Sequence, residues 1–164
     1  MTLLKRVYLL VLAASLALLA FPLTSSAAGD YSVNANNAYN WLKSQMNANG
    51  LVTSFQGGNV CYTYDNAVAI VAFLLKGDTA SAKAVLNEFK SLQLTDGSWY
   101  NSYYTNGSVQ EGARYTGNVI WMAMAVMDYE TITGDTTTYH AMGQNAARWA
   151  LQFQQSDGGI NGGL

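Results

Sequence analysis

Hydrophobic positions along the chain fall into two kinds of run. Residues 67–75 and 119–127 are both unbroken apolar runs, with no polar face. Runs this uniform belong to elements buried all round. Their alanines, and the Lys76-Gly77 stop after the first, favour helix over strand, which predicts buried helices over 65–76 and 118–133. Between and around them the pattern becomes a stripe at helical spacing. Residues 34–47 put Ala38, Trp41, Leu42, Gln45 and Met46 on one side; 79–93 do the same with Ala82, Val85, Leu86, Phe89 and Leu92; 139–155 with Met142, Ala146, Trp149, Ala150 and Phe153. These three are amphipathic, half-buried helices.

The order is therefore half-buried, buried, half-buried, buried, half-buried, and the connections repeat with it. Both buried helices end in Gly-Asp-Thr, at Gly77-Asp78-Thr79 and Gly134-Asp135-Thr136. Glycine supplies the left-handed cap, and Asp or Thr caps the helix that follows. The half-buried helices end at Gly50, at Asp96-Gly97 and at Asp157-Gly158. The interval from Asp96 to Asp157 nearly matches that from Gly77 to Gly134. A fixed period of this kind signals a repeat architecture. Each unit is a hairpin of one inner and one outer helix, and hairpins stacked in a ring would bury the inner helices on every side. The expected class is all-α, an α/α toroid of about two and a half hairpins out of six. The expectation is an N-terminal fragment of a longer protein, with an incomplete ring that leaves apolar inner-helix sides open to self-association; a small open domain is the alternative.

The start of the chain changes the picture of the domain. Lys5 and Arg6 precede an apolar stretch over 7–23, and Ser26-Ala27-Ala28 fits a small-x-small cleavage site, the pattern of a secretory signal peptide. The expectation is a signal peptide over 1–28, a toroid domain over 29–164, a secreted or periplasmic location, and no stable membrane association after cleavage. The chain from Gly29 onward contains no proline, and without Lys5 and Arg6 its net charge moves from −2 to −4. Lacking a basic surplus, it is disfavoured for nucleic-acid binding. One Cys and one His provide no metal cluster, and no cofactor is implied.

Several motifs, in this order and spacing, resemble the six-hairpin glycosidase superfamily: Tyr64-Asp65-Asn66-Ala67, Asp96-Gly97-Ser98-Trp99, Thr116-Gly117-Asn118-Val119-Ile120-Trp121, Tyr129 with Thr133-Gly134-Asp135, and Gln154-Gln155-Ser156-Asp157-Gly158-Gly159-Ile160. The resemblance implies hydrolysis of a poly- or oligosaccharide by a pair of carboxylic acids, in a cleft at the inner-helix N-termini. Gln93-Leu94-Thr95-Asp96-Gly97-Ser98-Trp99 also looks like a repeat of the terpene cyclases, but the Asp-rich motif of that family is missing. A non-catalytic toroid that binds glycans or a protein is the alternative from another class.

Glycoside hydrolysis needs one acid to protonate the leaving oxygen and a second carboxylate as base or nucleophile. Asp65, opening the first buried helix, and Glu111, in the long connection over 99–116, are the candidate pair. Asp65 reads equally as an N-cap. Candidate sugar contacts are Tyr62, Tyr64, Asn66, Trp99, Tyr103, Tyr104, Arg114, Asn118 and Asp157, because flat aromatic faces and polar side chains near the acids suit a sugar ring. Turn chemistry alone explains Asp96 and Asp157. His140 reads as a surface residue, Cys61 as a buried structural thiol, and Met122, Met124 and Met127 as core filler.

Overall fold

The computed structural model describes residues 30–164; the expected signal peptide lies outside the described residues. Among the described residues there are five helices and three short strands: α1 (Ser32–Ser44), β1 (Val60–Tyr62), α2 (Thr63–Leu75), α3 (Thr79–Leu92), β2 (Ser102–Tyr104), β3 (Val109–Glu111), α4 (Thr116–Thr133) and α5 (His140–Leu151). Each helix falls on one of the five patterned stretches.

Helices α2 and α4 pack along each other, and α3 and α5 flank them on the outside. This arrangement explains why only α2 and α4 lack a polar face. The core spans residues 34–164 as one unit and centres on Phe73, Phe89, Trp99, Tyr103, Tyr139 and Trp149. The Gly-Asp-Thr joints behave as their chemistry requires. Gly134 closes α4 in the left-handed conformation at φ 75°, and its N–H returns to the Glu130 carbonyl. Asp78 caps α3 by accepting from the Ser81 N–H. Asp135 departs from the expectation. It accepts from the N–H groups of Thr137 and Thr138 and organises the turn before α5, whose own cap, Tyr139, uses no side chain.

Three expectations need correction. The core-filler reading fails for two methionines: Met124 and Met127 on α4 are exposed, as are Trp121 beside them and Val68 and Leu75 on α2, the open inner-helix sides expected of an incomplete ring. Each inner helix has the other on one side only, so the far sides stay open, and of the three methionines only Met122 is core. Helix α1 contributes no fully buried residue. It is held by the Tyr39 ring against Phe73 and by Tyr39 and Lys43, which both donate to Asp78 at 2.8 Å. The third correction is the antiparallel sheet, ordered β1-β2-β3, within an otherwise helical fold. It pairs Val60 with Tyr104 and Ser102 with Glu111, so much of the 99–116 connection is a hairpin. Gly107 takes φ 85° in its turn.

Candidate functional site

The site is assembled at the N-termini of α2 and α4, and both begin alike. Each is preceded by a tyrosine in extended conformation, Tyr62 or Tyr115, and opens on a threonine. The Thr63 N–H donates to the Asn101 carbonyl, and its hydroxyl donates to the Tyr100 carbonyl at 2.6 Å. Thr116 repeats the device, its N–H on the Gly162 carbonyl and its hydroxyl on the Asn161 carbonyl at 2.6 Å. Aligned this way, Asp65 and Asn118 hold the same position, the third of their helices. Asp65 is therefore not the N-cap; that place belongs to Tyr62. A carboxylate in the first turn still gains from the helix dipole.

Asn101 connects the two helix starts to the loop acid. Its side-chain amide donates to Glu111 Oε2 at 2.5 Å, and its side-chain oxygen accepts from the Asn118 amide at 2.6 Å. Tyr115 adds a longer contact to the other Glu111 oxygen at 3.5 Å. Thus the loop over 99–116 lies at the same end as Asp65, and Asp65, Glu111 and Asn118 share that end.

Asp65 faces a groove of about 310 Å³ between α1 and α2, lined also by Trp41, Thr53, Ser54, Tyr64 and Val68. Among the described residues Asp65 takes part in no ion pair. The Tyr64 ring, 41% exposed, meets Trp121, 37% exposed, edge to face at 5.4 Å between centroids. Trp41 and Trp121 are exposed aromatic residues of this region that the sequence reading left out. Their signal was present, since each stands among apolar residues in a patterned helix, but that same pattern assigned them to the core.

Several other expected contacts turn out to be internal. Asn66 is fully buried. Its amide donates to the carbonyls of Val52 and Tyr62 while its oxygen accepts from the Val52 N–H, so it pins the preceding loop to α2 and offers no donor to a ligand. Trp99 is buried and gives its indole N–H to the Phe89 carbonyl at 2.7 Å. Tyr103 is buried beneath Tyr100, whose N–H it accepts at 3.1 Å, and burial pushes its hydroxyl up to about 12. Arg114 is paired with Asp96. Burial alone would raise the Asp96 carboxyl, but the Ser98 hydroxyl and N–H, with the Arg114 charge, hold it below its ordinary range. Asp157 is exposed and accepts from the Gly159 N–H, as a turn residue does. Tyr62 packs edge to face on Phe55, and Tyr104 ends β2 with its ring partly exposed. Cys61 is buried, as expected, with its thiol pushed up to about 11 by desolvation. His140 is exposed and pairs with Glu130 at 3.2 Å.

No family model and no curated protein matches the sequence. Solved structures do match. A family 8 endo-β-1,4-glucanase from an Achatina fulica gut metagenomic library aligns at TM-score 0.62 and 19% identity, over 71% of this chain and 38% of that one. A family 8 endoglucanase from Klebsiella pneumoniae aligns at 0.60 and 15%, over 72% and 39%. An alpha-amylase from Clostridium perfringens aligns at 0.61 and 9%, over 76% and 39%. The chain has the fold of an α/α toroid. It shares that fold, in part, with these three structures, and it spans about two fifths of the length of each.

Proposed function

We propose that this chain supplies part of the carbohydrate site of a secreted glycoside hydrolase acting on a neutral poly- or oligosaccharide. The observation that carries the reading is Asp65: an acid without an ion-pair partner among the described residues, in the first turn of an inner helix, in a groove shared with Trp41 and Tyr64. Aromatic faces cover the C–H surface of a sugar, and a nearby carboxyl provides the proton or the base. Glu111 is the partner acid at this end, oriented by Asn101. The groove lining contains no Lys or Arg to pair with a uronic acid, which favours a neutral sugar. A glucan is the first substrate to try, because the matched structures are two endoglucanases and an alpha-amylase.

Asp65→Asn tests the chemistry at nearly constant shape. If Asp65 is an acid or base of the reaction, kcat on a glucan that the protein turns over falls on the order of 10²-fold or more, while the melting midpoint barely moves. Unchanged turnover removes Asp65 from the mechanism. Glucan binding without turnover by a longer protein that completes the ring, in wild type and variant alike, supports the non-catalytic alternative. This chain spans about two fifths of each matched structure, so little or no hydrolysis is expected from residues 29–164 alone.

A further inference from the structure

Asparagine is followed by glycine at Asn49-Gly50, Asn106-Gly107 and Asn161-Gly162. This pair allows a chain to react with itself. The backbone nitrogen after an asparagine can attack the side-chain carbon Cγ, and glycine, with no Cβ, shields that nitrogen least. The attack needs an uncommitted glycine N–H and an asparagine side chain free to turn onto it.

The first two pairs are tied. The Gly50 N–H donates to the Asn47 carbonyl at 2.9 Å, while the Asn49 amide donates to Glu88 and its oxygen accepts from the Leu51 N–H. The Gly107 N–H donates to the Tyr104 carbonyl at 2.8 Å, and the Asn106 oxygen accepts from the hydroxyl and the N–H of Ser108. Both glycines also serve the backbone, at φ 100° and 85°.

Asn161-Gly162 differs on every count. Both residues are exposed. Among the described residues, neither the Gly162 N–H nor the Asn161 side chain has a hydrogen-bond partner. Gly162 is not one of the glycines at positive φ, and a Cβ on it would meet nothing within 4 Å. The fold therefore places no demand for glycine at this position.

We infer that Asn161-Gly162 is a self-modification site, where the folded chain converts through a succinimide to a mixture of aspartyl and isoaspartyl linkages. Water is the only co-reactant. Solvent base takes the Gly162 N–H proton, the nitrogen bonds to Asn161 Cγ, the Cγ–Nδ2 bond breaks, and ammonia leaves with a proton from water. Water then opens the ring at one of its two carbonyls. One opening gives aspartate; the other gives isoaspartate, whose main chain runs through Cβ and Cγ and is one atom longer. Either product adds a negative charge.

The place gives the reaction a consequence. Thr116, the first residue of α4, is held by its N–H on the Gly162 carbonyl at 2.9 Å and its hydroxyl on the Asn161 carbonyl at 2.6 Å. The isoaspartyl link turns the Asn161 carbonyl into a free carboxylate and displaces Gly162, so the start of α4 loosens. The inference is independent of any catalytic role of Asp65 or Glu111.

The test incubates the purified protein in mildly alkaline buffer, folded and in denaturant, and follows each pair by peptide mapping with mass spectrometry. In denaturant the three pairs should convert at similar rates. In the folded protein Asn161 should keep nearly that rate, while Asn49 and Asn106 slow by at least about tenfold, because their hydrogen bonds must break first. Gly162→Ala should slow conversion at Asn161 by a similar factor and leave the melting midpoint unchanged, since its methyl group meets open space. The converted fraction, separated by its added charge, should exchange the Thr116 amide hydrogen faster than the unconverted one. Protection of Asn161 equal to that of Asn49 and Asn106 overturns the proposal, and so does faster conversion at either of those two. An unchanged rate in Gly162→Ala also overturns it. Equal exchange at Thr116 in both fractions overturns the loosening of α4.

Discussion

The Asn118 side-chain amide donates to the Asn101 side-chain oxygen at 2.6 Å, and this bond joins the start of α4 to the loop that carries Glu111. Asn101 also takes the Thr63 N–H on its backbone carbonyl, so one residue ties the two inner helices and the acid together. Truncating it leaves Asn118 and Glu111 each short of a partner at a part-buried site. Asn101→Ala should cost about 1–3 kcal/mol, read as a lower denaturant midpoint at unchanged m-value. A loss below about 0.5 kcal/mol would show that the bond contributes little.

Glycine is required for different reasons at two turns. Gly77 and Gly97 both have positive φ, but a methyl group on Gly77 meets open space and one on Gly97 meets the Asn145 backbone. Gly77→Ala should cost about 1 kcal/mol from backbone strain alone. Gly97→Ala should cost clearly more, on the order of 3 kcal/mol or above, because α5 must also shift. Equal losses in chemical melts would mean that the turn and α5 do not touch as described.

Acid should loosen α1. Burial alone would raise the Asp78 carboxyl, but Lys43, the Ser81 hydroxyl and N–H, and the Tyr39 hydroxyl together hold it well below its ordinary value of 3.8. A carboxyl with a lowered folded-state pKa stabilises the fold above its unfolded value and loses that contribution as pH falls below it. Stability should therefore drop as pH goes from about 5 toward 2, and Asp78→Asn should flatten part of that drop. At neutral pH Asp78→Ala should cost about 1–2 kcal/mol through the lost cap of α3. A variant with the same acid profile as wild type would contradict this role.

The helices were legible in the sequence because their apolar spacing and their Gly-Asp-Thr joints act locally. The sheet was not. Its strands are three residues each, too short for alternation to register, although Asn106-Gly107 between them is a hairpin signal. That Asp65 and Glu111 stand at one end was legible, since both flank inner-helix starts. The roles of Asn66, Trp99 and Tyr103 were not legible, because whether a polar or aromatic side chain faces a groove or a neighbouring backbone depends on long-range packing. For the same reason Trp41 and Trp121 read as core. The open sides of α2 and α4 were legible from the small number of hairpins, but which of their apolar residues stand open was not, because that depends on how α2 and α4 face each other.

The Tyr64–Trp121 pair offers a separate check on the groove. If these rings hold a sugar, Tyr64→Ala and Trp121→Ala should each weaken oligosaccharide binding by about tenfold, while Tyr103→Phe, which alters a buried hydroxyl, leaves it unchanged. Weakening by Tyr103→Phe alone would move the site under the sheet.

The most direct measurement is a titration of isotope-labelled residues 29–164 with linear oligosaccharides of β-1,4- and of α-1,4-linked glucose, followed by backbone amide shifts. The account predicts saturable shifts, with at least one of the two sugars, that cluster at Trp41, Thr53, Tyr64, Asp65 and Trp121 and are lost in Tyr64→Ala. No shift with either sugar at millimolar concentration, or shifts confined to the far ends of α2 and α4, would contradict it.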